Sequence, residues 1–170
     1  MEPLVFPGLL QCREYSYVLI RQGRPDDTED EIEERVQARL ERAKILDSNR
    51  PPRFQAVIDE TVLRRPLGGP RVLAEQLRHL LVMCDHPRVS VSVLESSEEA
   101  HPGLDGGFML ITDREGQVIA FREDKVAGHP ADDAETIGVY SRIAQELATR
   151  AMQPAASRRL IADLLAGWQS

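Results

Sequence analysis

"RFQAVIDETVLRRPLGGPRVLAEQLRHLLVMCDHPRVSVSVL" (residues 53–94) changes its hydrophobic period twice. In RVSVSVL, Val89, Val91 and Val93 alternate with Ser90 and Ser92, the period of a strand with one apolar face. RFQAVIDETVL reads as a second strand, in which Phe54, Ala56 and Ile58 alternate with Gln55, Val57 and Asp59. Between the two, Leu73, Leu77, Leu80, Leu81 and Cys84 recur at helical spacing. RRPLGGP sets up that helix, with Gly69 beside the cap and Pro70 at the first helical position, and DHP closes it. A helix joining two strands makes a parallel pairing available to them.

On the N-terminal side, EPLVFPGLLQ (2–11) is apolar and punctuated by Pro3, Pro7 and Gly8. Chain termini are usually polar and frayed, so this segment reads as an arm that docks onto a domain. QCREYSYVLIRQG is a short helix closed by Gly23. RPDDTEDEIEERVQARLERAKIL is a longer one, capped by Asp26, Asp27 or Thr28, with acids in its first turn and bases at its end. Its apolar residues Ile32, Val36, Leu40 and Ala43 form one stripe, and the charge run is a solvated face.

On the C-terminal side, ESSEEAHPGLDGG is a polar loop of about a dozen residues, a length at which loops often carry function. FMLIT-DREG-QVIAF is a hairpin, and REDKVAGHPADDAE a second loop. TIGVYSRIAQELATRAM and PAASRRLIADLLAGW are two closing helices, the latter starting on Pro154. Together these predict an α+β fold in a single domain over residues 1–170. It has a mixed four- to five-stranded sheet, with helices packed mainly on one face, and two C-terminal helices.

The chain is 42% hydrophobic but only 5% aromatic, so its core is built mostly from Leu, Val, Ile and Ala. A net charge of −7 argues against nucleic-acid binding by the chain itself. The Arg64–Arg65 and Arg158–Arg159 doublets are the places where a local basic patch could form. No apolar run approaches the ~18 residues that span a bilayer, and no signal peptide opens the chain, so a cytoplasmic protein is expected. Cys12 and Cys84 lack metal-ligand or redox spacing and read as small buried thiols. GxSxG, P-loop, HExxH and GxGxxG motifs are missing from the sequence, and no cofactor or metal is expected.

HPGLDGGF (101–108) is the leading site candidate. His101 is of the residue type that can serve as acid, base or ligand. Gly103, Gly106 and Gly107 allow a close backbone approach or positive φ, and Asp105 and Phe108 belong to the same candidate surface. The alternative is that the motif simply folds a long connection. Asp59-Glu60 ends a strand, where only one of two adjacent side chains can face inward. Glu60, with Glu123 at the end of the hairpin if the two strands are neighbours, would join His101 as acid/base groups. The competing role for such a carboxylate is burial against Arg64 or Arg65. Gln11 and Tyr15, one helical turn apart, are candidate ligand contacts or core-and-cap residues.

The series EPLVFPGLLQ followed by Tyr15, then VIDETVLRRPLGGP, AHPGLDGGF and QPAASRRLI, resembles the DUF5753 domain. That domain occurs in actinobacterial regulators described as Scr1-type and antitoxin-like, behind an XRE-type helix-turn-helix. The resemblance covers nearly the whole chain. It implies a regulatory domain that binds a small molecule or a small partner protein and biases a DNA-binding unit, with a homodimer left open. It also implies that the N-terminal helix-turn-helix is absent here, either because the chain is the C-terminal piece of a regulator or because it is a stand-alone copy.

Three departures stand out. Cys12 replaces a common Thr. ESSEEA, with Glu95, Glu98 and Glu99, replaces a small apolar stretch. Phe121-Arg122-Glu123 stands where relatives tend to have Tyr-x-Glu, which makes Phe121 a further candidate ligand contact. These departures leave open a second class, a stand-alone enzyme of secondary metabolism using His101, Glu60 and Glu123 in a cyclisation, isomerisation or group transfer.

Overall fold

The computed structural model describes residues 4–97, 100–123 and 128–168. The arm turns through a 3₁₀ helix at Gly8–Leu10 into α1 (Arg13–Gly23). α2 (Glu29–Ala43) starts on Thr28, which forms a reciprocal capping box with Glu31. Next come β1 (Phe54–Asp59), α3 (Glu60–Arg64), α4 (Pro70–Cys84) and β2 (Val89–Leu94). The hairpin β3 (Phe108–Thr112) and β4 (Val118–Glu123) leads to β5 (Gly128–Ala131). α5 (Ala134–Arg150) and α6 (Pro154–Trp168) close the chain.

β1 and β2 pair in parallel, Phe54 against Val89 through to Asp59 against Leu94. The alternation seen in the sequence sends Ala56, Ile58, Val89, Val91 and Val93 into one core, with Leu73, Leu77 and Leu80 of α4 and Ile161 of α6. The opposite side of the pair places Val57 and Leu94 against Phe108 and Leu147, where the hairpin and α5 meet it. Both faces are therefore covered, as a parallel pair requires.

The fold is α+β with two C-terminal helices, but the single four- to five-stranded sheet is replaced by two. β1–β2 is one, and β3–β4–β5 is a separate antiparallel sheet. The reason lies at the edge of β2. The Val93 N–H donates to Ser157 Oγ at 2.9 Å, and the Val93 carbonyl accepts the Met152 N–H at 2.8 Å. The link between α5 and α6 thus occupies the hydrogen-bonding groups that a neighbouring strand would need. β4 pairs instead with β5, a four-residue strand inside a stretch read as loop. The first strand is also shorter than expected, because Asp59 caps α3 and ETVLR turns helical.

The inner face of the three-stranded sheet, with Phe108 and Ala120, is buried. Its outer face leaves Met109, Ile111 and Ile119 each about 40% exposed (39%, 44% and 39%).

Gly68 fixes the turn ahead of α4. Its φ is +75°, and a Cβ there would lie 2.8 Å from Val18 Cγ2 and 3.1 Å from Val72 Cγ2, both on stiff β-branched side chains. Gly68→Ala is expected to lose about 2–4 kcal/mol in urea denaturation, combining left-handed strain with overpacking. Gly116→Ala, at φ +87° with open space around it, should lose only about 1–2 kcal/mol.

Candidate functional site

β1 and β2 end side by side at Asp59 and Leu94, and the loop after β2 returns to that end. A 3₁₀ turn at Pro102–Asp105 brings His101 back onto the strand–helix junction. His101 Nε2 lies 3.1 Å from Asp59 Oδ2, and the imidazole is 1% exposed. Asp59 Oδ1 accepts the Thr61 N–H at 2.7 Å and also the Thr61 hydroxyl, so both carboxylate oxygens are engaged. His101 Nδ1 is buried and has no hydrogen-bond partner.

Glu60 binds the same loop one residue further on. Its Oε1 accepts from Arg64 Nε at 2.8 Å and Nη2 at 2.6 Å. Its Oε2 accepts the Ser96 N–H at 2.9 Å and the Ser96 hydroxyl at 3.0 Å. From the other side, Arg150 of α5 donates to the Ala100 carbonyl at 2.8 Å. Asp59 and Glu60 are both buried, contrary to the expectation that only one would face inward. The strand rule lapses here because Asp59 is a helix cap and Glu60 the first helical residue.

Burial pushes the Glu60 carboxyl upward, but hydrogen bonds from Ser96 and Arg64 outweigh it and hold the group below its ordinary 4.5. A depressed carboxyl stabilises the fold fully above its ordinary value, and the contribution is lost as pH falls through the folded-state value. Glu60→Gln should therefore cost roughly 1–3 kcal/mol near neutrality, shrinking on acidification. Parallel denaturation series across the acid range would check this, by convergence of the variant and wild-type curves.

Of the expected triad of His101, Glu60 and Glu123, the structure describes the side chains of the first two. His101 meets Asp59, while Glu60 is taken by Arg64 and Ser96. Glu123 pairs with Gly128 in the other sheet, so its strand is no neighbour of β1; its carboxylate lies outside the described side chains, and Glu98 and Glu99 outside the described residues. The sequence did hold the signal for Asp59: an Asp two residues before a Thr at a helix start is a local cap. Of the glycines in HPGLDGGF, only Gly106 has positive φ, at +130°. Gly103 is buried, and Asp105 is exposed. Phe108 packs its ring 4.9 Å from Tyr140. Phe121 lies across from Met109 and Pro130 on the outer face of the sheet.

Gln11 and Tyr15 lie where the arm is clamped, and Tyr15 joins the arm's Phe6 and Leu10 in the same core as Ile58 and Val91. Phe6 and Leu10 are fully buried, and Tyr15 meets Phe6 edge-on at 5.0 Å. Gln11 Nε2 donates to the Phe6 carbonyl at 2.6 Å, while its Oε1 accepts from Ser16 at 3.2 Å and from Arg39 at 2.7 Å. Gln76 of α4, fully buried, donates to the Leu10 carbonyl at 2.7 Å and accepts the Cys12 N–H at 2.8 Å. Arg65 donates to the Leu4 carbonyl at 3.2 Å. Burial pushes the Cys12 and Cys84 thiols up to about 11, which keeps both protonated.

Arg64, Arg65 and Arg158 of the two doublets are engaged within the fold. Arg64 holds Glu60 and Arg65 holds the arm, and Arg158 makes a two-bond pair with Asp85 at 2.9 and 3.0 Å. A hollow of about 430 Å³ opens between Arg53–Gln55 and Pro87–Ser90, at the opposite end of β1 and β2 from His101. Another, of about 500 Å³, lies between α1 and α2. Among the described residues, no cluster of three or more His, Cys, Asp or Glu is placed to hold a metal. No helix among them is long and apolar enough to cross a membrane.

A small α+β domain with a clamped N-terminal arm and a latched loop over a parallel strand pair is the class that this geometry defines. The profile of a family described as a domain of unknown function (DUF5753) matches residues 1–163, and the chain belongs to that family. No curated protein and no solved structure matches it.

Proposed function

We propose that the chain is a regulatory domain of the cytoplasm, which senses a small molecule or docks a small partner protein and biases a helix-turn-helix DNA-binding unit. The arm carries this reading. Its backbone is held by side chains from the rest of the domain, Gln76 on α4 and Arg65 beyond α3, and Arg39 on α2 fixes Gln11. A shift in how these helices pack would therefore change how the arm is held, and a ligand that prefers one packing would move the equilibrium. The apolar outer face of Met109, Ile111 and Ile119 supports the partner-docking form of the reading.

One observation favours the enzyme as a second reading. His101 and Asp59 sit at the carboxyl end of parallel strands, a common position for sites, and His101 Nδ1 is uncommitted. The closed surroundings of the imidazole weigh against it, because a general base must reach its substrate.

The two separate in a deletion strain of the source organism, complemented with wild type or His101→Ala. The regulatory reading expects deletion to change transcript levels at a few loci, with wild type restoring them. The enzyme reading expects a changed metabolite pool that wild type restores and His101→Ala does not, with transcripts unaffected.

A further inference from the structure

The hollow between α1 and α2 has an unusual lining for a chain of net charge −7: Arg24, Arg35, Arg39 and Arg42. Arg35, Arg39 and Arg42 follow one another at i, i+4 and i+7, so they share one face of α2. The facing wall is apolar, with Leu19 and Ile20 of α1. Arg35 is neutralised by Asp27 at 2.8 Å, and Arg39 reaches Gln11 of the arm. Arg24 and Arg42 have no carboxylate partner among the described residues. A volume of about 500 Å³ falls within the roughly 300–1,000 Å³ usual for small-molecule sites.

We propose that this groove binds a small anionic ligand, a phosphate or carboxylate carrying an apolar portion. Arg24 and Arg42 supply the charge, Leu19 and Ile20 take the apolar part, and Arg39 divides its bonds between the ligand and Gln11. Guanidinium groups suit this chemistry because their planar donors match carboxylate and phosphate oxygens in pairs. Since the Arg39–Gln11 bond is one of those that fix the arm, occupancy of the groove loosens the arm. The proposal rests on the ligand-sensing reading for its purpose, but the binding is tested on the purified chain alone.

The probe is anilinonaphthalene sulfonate, read by fluorescence, with hexyl phosphate, hexanoate, inorganic phosphate and hexyltrimethylammonium as competitors. Wild type should bind the probe, and hexyl phosphate or hexanoate should displace it; whichever is stronger tells phosphate from carboxylate. Arg24→Ala with Arg42→Ala, at two exposed and unpaired positions, should weaken binding roughly tenfold or more and leave the melting temperature unchanged. Amide exchange at Leu10–Cys12 should rise several-fold at saturating hexyl phosphate or hexanoate. Probe binding that survives the double substitution overturns the site. So does displacement by the cation, or equal displacement by inorganic phosphate. Arm exchange that does not respond overturns the coupling. A failed groove with intact transcript control, or the reverse, tells which of the two proposals is wrong.

Discussion

Asp59→Ala is expected to lower the unfolding free energy by about 3–5 kcal/mol, a large share of the ~5–15 kcal/mol that holds a domain of this size. The carboxylate caps α3 through the Thr61 N–H, a bond worth about 1 kcal/mol. It also accepts the Thr61 hydroxyl and faces His101 Nε2, in a place where the imidazole is 1% exposed. Removing it leaves a buried ring with neither nitrogen partnered, since Nδ1 already has none. Each buried polar atom left unmatched costs about 1–3 kcal/mol. Urea denaturation of Asp59→Ala, His101→Ala and the double variant would check this. The two losses should fail to add by about 1 kcal/mol or more, because both variants break the same contact. Additive losses would mean that the pair contributes nothing as a pair.

Gln76→Leu should produce the second large loss, about 2–4 kcal/mol, without opening a cavity. Leucine nearly fills the space of glutamine, but it orphans the Leu10 carbonyl and the Cys12 N–H, both bonded to the Gln76 amide. The loss should be local in character. α4 keeps Leu73, Leu77 and Leu80 in the core, while the arm gives up two of the bonds that pin it from outside its own segment. Denaturation gives the magnitude, and Gln76→Glu should be worse still near neutral pH, since it buries a charge and removes the amide donor.

Periodicity read the helices well because their stripes are long. The Ile32–Val36–Leu40 face and the Leu73–Leu77–Leu80 face both exist, with Ile32 and Val36 fully buried; Thr28, one of three candidate caps, starts α2, and Pro70 is the first residue of α4. The parallel pairing made available by the connecting helix also formed. Sheet membership was not legible, because it turns on two groups far along the chain from β2, the Ser157 hydroxyl and the Met152 N–H. Ser157, in a helix start that looks ordinary, satisfies the Val93 N–H, and Met152 takes the Val93 carbonyl. β5 escaped because GHPA has no alternation and carries a proline.

At the candidate site, the side chain that His101 meets is Asp59, next to the Glu60 that the sequence reading named. Strand alternation was extended past the residue where the chain turns helical. The arginine groove was hidden for a different reason. Its side chains come from α1 and α2 together, and the charged face of α2 read alone is indistinguishable from a solvated one.

The central claim is that the arm, though Phe6 and Leu10 join the main core, is pinned by side chains of α1, α2 and α4 and loosens before β1–β2 when those bonds are lost. Residue-resolved amide exchange on wild type and Gln76→Leu tests it most directly. The account predicts that the Cys12 amide is well protected in wild type. In the variant, exchange should accelerate by orders of magnitude through residues 4–12, while Ile58 and Val91 in the parallel pair stay protected. Equal acceleration in the arm and in β1–β2, or an arm already unprotected in wild type, would contradict it.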